Sequence, residues 1–167
     1  MIRTEQEYRK VKALIEEEER LIQEEVEKME KAGFTEREIN ISVGMAKVLL
    51  HNRKQEVEEY EKTVTGDFNP YTCQLNEIGR HLIKLRIWRG LSQTELANKL
   101  GIKPTQVSRD ERFEYSGASM ERIQQVLKAL DIELMLASPS LVEAAKAQEE
   151  YASGQDEVSA TKEKQAG

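Results

Sequence analysis

The sequence predicts an all-α protein: a long antiparallel helical hairpin, then a compact helical domain built around two short helices and a tight turn. Three observations predict it. Apolar residues recur at three- and four-residue steps through the first sixty positions. Thr followed three residues later by Glu, a helix-start pattern, stands at Thr4 and Thr35, with further polar caps at Ser92 and Ser119. Glycines stand where the periodic stretches end, at Gly33 and Gly101.

The first helix opens at Thr4-Glu5-Gln6-Glu7, where Thr4 can accept from the backbone while Glu7 reaches back. Tyr8, Val11, Ile15, Ile22 and Met29 then form a stripe, flanked by Leu14, Leu21 and Val26. After Gly33, Thr35 and Glu38 form a second box, with Phe34 and Ile39 placed to staple the turn. The second stripe runs Ile39, Val43, Ala46, Leu50, Val57 and Tyr60, broken at Arg53. Two long helices with a short turn make an antiparallel hairpin. Two helices cannot enclose their apolar faces, so the hairpin (residues 1–64) should pack on a second copy or on the following domain. Glu18 and Glu25 interrupt its seam, which argues against a long dry coiled coil, and the Glu16–Glu19 run reads as a solvated face. Residues 65–74, with Thr65-Gly66-Asp67-Phe68-Asn69-Pro70, are dense in turn formers and read as a linker.

The stretch Leu91–Arg112, LSQTELANKLGIKPTQVSRDER, carries the functional signal. Ser92 caps a short helix with Leu96, Ala97 and Leu100 on one side. Ala97 is small where two helices should cross. Gly101 can take a positive φ at the turn. Ile102 and Val107 should face back onto the first helix, and Pro104 falls at the start of the second, where its missing N–H costs nothing. This is a helix-turn-helix, whose second helix can lie in a DNA major groove. Ser92, Gln93, Lys103, Thr105, Gln106, Ser108, Arg109 and Arg112 are left as polar groups able to donate to phosphates or read base edges, Arg to guanine and Gln to adenine.

The region from Leu75 to Leu130 resembles the lambda repressor/Cro (XRE-type) DNA-binding domain. That resemblance implies a bundle of about five helices over residues 75–137, with the motif as helices two and three. It implies that Gln93 braces a phosphate and the first recognition side chain. Lys103, Thr105, Gln106 and Arg109 would occupy the exposed positions of the recognition helix, and Arg112 a backbone contact at its end. Two residues depart from the family pattern. Pro104 replaces a base-reading Gln, and Asp110 stands where an aliphatic core residue is usual. Glu111 is common at its position and structural there.

Ser119 can cap a helix from Met120 to Leu130, with Ile123, Val126, Leu127 and Leu130 inward. The residues that follow alternate, with Ile132, Leu134 and Leu136 on one side. They either form a strand pairing with its copy in a second subunit, or extend the preceding helix. The ending Leu127–Leu136 resembles the dimer-forming strand of HipB-type antitoxins, and the opening helix is similar to the leader of some HigA-type antitoxins. Those resemblances imply a homodimer able to bind a toxin protein. Residues 138–167 read as a flexible acidic tail.

Charge separates the regions. Residues 1–74 carry 12 basic and 17 acidic side chains, a net of −5; residues 75–130 carry 10 and 6, a net of +4; residues 131–167 carry 3 and 8, again −5. A basic module between acidic attachments fits a nucleic-acid partner, and +4 implies few phosphate contacts per subunit. No run of 18 apolar residues and no leader-like N-terminus occurs, so a cytoplasmic protein is expected. The single cysteine, Cys73, excludes an internal disulfide framework, and no metal or cofactor site is expected. No nucleophile–base pair or phosphate-cradling glycine loop points to an enzyme. The expectation is a dimeric repressor of its own operon, reading half-sites about 34 Å apart. The other reading is an interaction module, an antitoxin or anti-activator, that masks a partner protein through the hairpin.

Overall fold

The helix starts at Thr4, Thr35, Ser92 and Ser119 are set by side chains that satisfy otherwise orphaned first-turn N–H groups. The computed structural model describes residues 1–133. It comprises α1 (Glu5–Lys31), α2 (Glu36–Thr65), a 3-10 turn (Leu75–Glu77), α3 (Ile78–Trp88), α4 (Gln93–Leu100), α5 (Pro104–Arg112) and α6 (Met120–Ala129). The all-helical expectation therefore holds among the described residues. Residues 75–132 contain five helical segments, one of them the 3-10 turn.

The second capping box forms as the sequence predicts. Thr35 Oγ1 accepts from the Glu38 N–H, while Glu38 accepts from the Thr35 N–H at 2.8 Å. The first differs. Thr4 accepts from the Glu7 N–H at 3.1 Å, but the Glu7 carboxylate takes the N–H of Arg3, not that of Thr4, at 2.8 Å. The carboxylate thereby ties down the residue before the cap. Ser119 caps α6 through the Arg122 N–H.

The hairpin seam buries Ile15, Ile39, Val43, Val57 and Tyr60, and Tyr8 stacks on Tyr60 with ring centroids 5.0 Å apart. Two of its three apparent interruptions are partners. Arg53 Nη1 donates to both carboxylate oxygens of Glu18, at 2.5 and 2.6 Å, in a half-buried setting. A charge that breaks each stripe thus neutralises the charge that breaks the other.

The hairpin does not stand apart from the bundle. Met1–Ile132 form one compact unit, with α2 packed along α3. Ile2, Ile15, Val57 and Tyr60 join Leu82, Leu85, Leu96, Val107 and Val126 in a single core. Lys84 Nζ reaches Glu59 at 2.8 Å across the same boundary. Of the two surfaces open to the hairpin in the sequence, its base uses the following domain. The stretch expected as a linker is anchored too. Phe68 lies edge-on to Trp88 and to His81, at 6.0 and 6.1 Å. Gly66 ends α2 at φ 81°, and a Cβ there would stand 2.8 Å from Trp88 Nε1. Turn formers predict a bend in the chain, but three aromatic rings make it a packed joint.

Gly79 permits a close approach in the bundle. A Cβ at this position would lie 1.7 Å from the Glu114 carbonyl oxygen, so α3 meets the chain after α5 with no room for any side chain. Beyond α6, Asp131 turns at φ 57° and the Ile132 N–H donates to Leu127 O at 3.0 Å. The helix therefore stops at Ala129 instead of running on, and Ile132 packs partly against the core of its own chain. Leu134 and Leu136, the other expected dimer-strand residues, lie outside the described residues, as does the expected tail.

Candidate nucleic-acid interface

The interface is built from α4, α5 and the turn between them. Ser92 and Glu95 form a capping box: Ser92 Oγ accepts from the Glu95 N–H at 3.2 Å, and the Glu95 carboxylate accepts from the Ser92 N–H at 2.7 Å. The N–H groups of Gln93 and Thr94 are left at the positive end of the helix, where an anion is favoured. Gly101 closes α4 at φ 67°, and the Ile102 N–H returns to Ala97 O at 3.0 Å. Leu96, Ala97 and Val107 are fully buried between the two helices.

One face of α5 is locked inward, and the opposite face is open. Val107 and Glu111, four residues apart, are both at 0% exposure. Thr105, Arg109 and Arg112 stand at i, i+4 and i+7 on the other side and are exposed, as are Lys103 and Gln106. Ser108 is half-buried at the edge. Of the eight residues expected to meet DNA, six are exposed. Gln93 is half-buried, and its Nε2 donates to Glu111 Oε2 at 2.8 Å, so one amide hydrogen is already used.

The inward face is held by a residue that the sequence reading passed over. Arg86, on α3, is 2% exposed. Its Nε and Nη2 donate to the two Glu111 carboxylate oxygens at 2.5 and 2.8 Å, a bidentate pair. Nη1 donates to Leu91 O at 2.6 Å and Nη2 to Arg3 O at 2.7 Å. One guanidinium thus joins the base of the hairpin, the turn into α4 and α5. A lone arginine in the apolar run His81-Leu82-Ile83-Lys84-Leu85-Arg86-Ile87-Trp88 was the available signal, since a buried charge needs partners.

Asp110 is explained in the same way. Arg122 of α6 donates to Asp110 Oδ2 through Nη2 and Nε, at 2.9 and 3.2 Å. A half-buried ion pair takes the place of the aliphatic contact usual in the resembling family. The buried Tyr115 beside this cluster has its phenol pushed well above the usual range, first by burial and then by the Glu111 carboxylate.

The charge at this surface follows from those pairings. Both acids of α5 are neutralised inward, Glu111 by Arg86 and Asp110 by Arg122. Lys103, Arg109 and Arg112 form no ion pair among the described residues. An acidic chain therefore presents a basic edge at this one helix.

Residues 82–135 match the helix-turn-helix family model. The segment is similar to that family, in keeping with the lambda repressor/Cro resemblance of its sequence. The match spans α3 to α6 and none of the hairpin. No curated protein and no solved structure matches the chain. A helix-turn-helix match suggests a DNA-binding regulator. Among the described residues no helix is long and apolar enough to cross a membrane.

Proposed function

We propose that the chain is a cytoplasmic, sequence-specific transcriptional regulator that binds duplex DNA as a homodimer and represses its own operon. The observation that carries this reading is the outward face of α5. Thr105, Gln106 and Arg109 are exposed on a helix whose other face is pinned by Arg86, and no carboxylate among the described residues shields them. Lys103, Arg112 and the N-terminus of α4, with Ser92 and Gln93, would engage phosphates and set the register. Thr105, Gln106 and Arg109 would face base edges. Pro104 cannot donate and only starts the helix.

Two such helices would enter major grooves one helical turn apart, about 34 Å, or a multiple of it. The net +4 of residues 75–130 supports the need for two subunits, because a few phosphate contacts leave binding weak at physiological salt. The chemistry is recognition and not catalysis. The antitoxin reading adds a toxin partner bound elsewhere on the same dimer.

Selection of bound duplexes from a random pool tests the reading. The expected outcome is a palindromic consensus that footprints upstream of the chain's own gene. Equal affinity for the selected and random duplexes would reject it in favour of a module that only binds protein.

A further inference from the structure

Helix α2 has two apolar faces, and the hairpin uses only one. Ile39, Val43, Val57 and Tyr60 turn toward α1 and are buried. Ile41, Met45, Val48 and Leu49 lie on the opposite side and are 72%, 71%, 55% and 48% exposed. Single exposed apolar residues are ordinary, but four in a continuous stripe mark an interaction surface. Between Ile39 and Asn52 the only Lys, Arg, Asp or Glu is Lys47, in a chain that is 34% charged.

We propose that this outer face is the seam between two copies of the chain, with the two α2 helices running antiparallel. Ile41, Met45, Val48, Asn52 and Gln55 follow steps of four and three, the spacing that keeps a helix stripe facing a partner helix. A two-fold axis between Ala46 and Lys47 makes the stripe complementary to itself. Met45 then meets Val48 of the other copy, Ile41 meets Asn52, and Arg37 at one end comes level with Glu56 from the opposite end. An isologous contact requires this reciprocity, each residue finding its partner twice. Parallel pairing would instead set Arg37 against Arg37 and Glu56 against Glu56, like charges that repel. Arg37 and Glu56 are both exposed, Glu56 also accepting from the Met1 amino group at 2.9 Å, and Ser42 and Gly44 flank the stripe with little bulk. No cation array faces an acidic partner here, and no acidic array a basic one. A second copy of the same neutral stripe is the occupant that fits.

The inference deepens the dimeric reading above by giving the dimer its surface, and it is tested without DNA, so its failure leaves DNA recognition standing. Sedimentation equilibrium of the full chain should show a dimer. Met45→Glu and Val48→Glu should each convert it to a monomer with unchanged helical circular dichroism. A chain that is monomeric throughout, or a dimer that survives both substitutions, overturns the proposal. Spin labels in a Cys73→Ser background read the direction independently. At 1.5 Å per residue, labels at Gln55→Cys should be offset by about 26 Å along the seam, whereas labels at Lys47→Cys should lie nearly side by side. Equal distances at the two positions would overturn the antiparallel arrangement.

Discussion

The helix-turn-helix bundle and the hairpin use the same kind of helix and reach opposite degrees of closure. In the bundle, α3 alone, 11 residues long, buries seven of them. In the hairpin, α1 is 27 residues long and buries one, Ile15. Sequence quality does not explain the difference, since both regions have capped starts and apolar stripes. Geometry does. The bundle surrounds each apolar face with two or more neighbours, whereas two antiparallel helices cover one face each. The hairpin borrows closure at its base from α3, and its outer stripe stays open.

The comparison can be broken most forcefully at Arg86. Arg86→Ala leaves the Glu111 carboxylate buried without its partner, which should cost about 3–5 kcal/mol. Urea denaturation of the variant against the parent measures it, and a loss near that of a surface substitution would mean the clamp holds nothing. Replacing both members, Arg86→Met with Glu111→Leu, should recover much of that loss, since apolar replacement of a buried pair is often near neutral.

Matched truncations sharpen the contrast. Leu82→Ala, in the bundle core, should cost about 2–5 kcal/mol. Leu21→Ala, on the half-exposed hairpin flank, should stay within about 0.5 kcal/mol. Equal losses in thermal melts would mean the hairpin is as closed as the bundle.

On the outward face of α5 the expected effects fall on binding and not on folding. Arg109→Ala should cost about 1–3 kcal/mol on the preferred duplex and relax preference at one position. Arg112→Ala should weaken all duplexes alike and shallow the salt dependence by about one unit. Fluorescence anisotropy across a salt series distinguishes the two, and a melting shift in either variant would assign it to the scaffold instead.

The smallest effect is expected at His81. Burial lowers its pKa, only partly offset by the hydrogen bond its Nε2 donates to Pro70 O at 3.1 Å. The folded state therefore favours the neutral ring. That contribution is fully present above the ordinary value of 6.5 and is lost as the pH falls through the lowered folded pKa. His81→Phe should flatten the acid limb of the stability curve over that range; an unchanged limb would exclude the imidazole as its source.

Much of this architecture was legible because it is local. Ser92 and Gly101 bracket α4 in the sequence as they do in space, and Thr35 with Glu38 announces α2 within four residues. The exposed set on α5 followed from helical period once Val107 was placed inward. What could not be read was pairing at a distance. Asp110 looked like a packing defect until Arg122 met it from the next helix, and Glu18 and Arg53 each looked like a break. The joint at residues 65–74 looked slack because turn residues are visible in sequence, whereas the contact of Phe68 with Trp88 is not. Arg86 combines all of these, since its partners are 5, 25 and 83 positions away.

That guanidinium also separates upkeep from choice. Apart from Gln93, the groups that hold α5 at its angle sit on the side turned away from the proposed duplex, and Thr105, Gln106 and Arg109 take no part in that hold. A library varied at Thr105, Gln106 and Arg109 could then be reprogrammed toward new operators while each member melts like its parent.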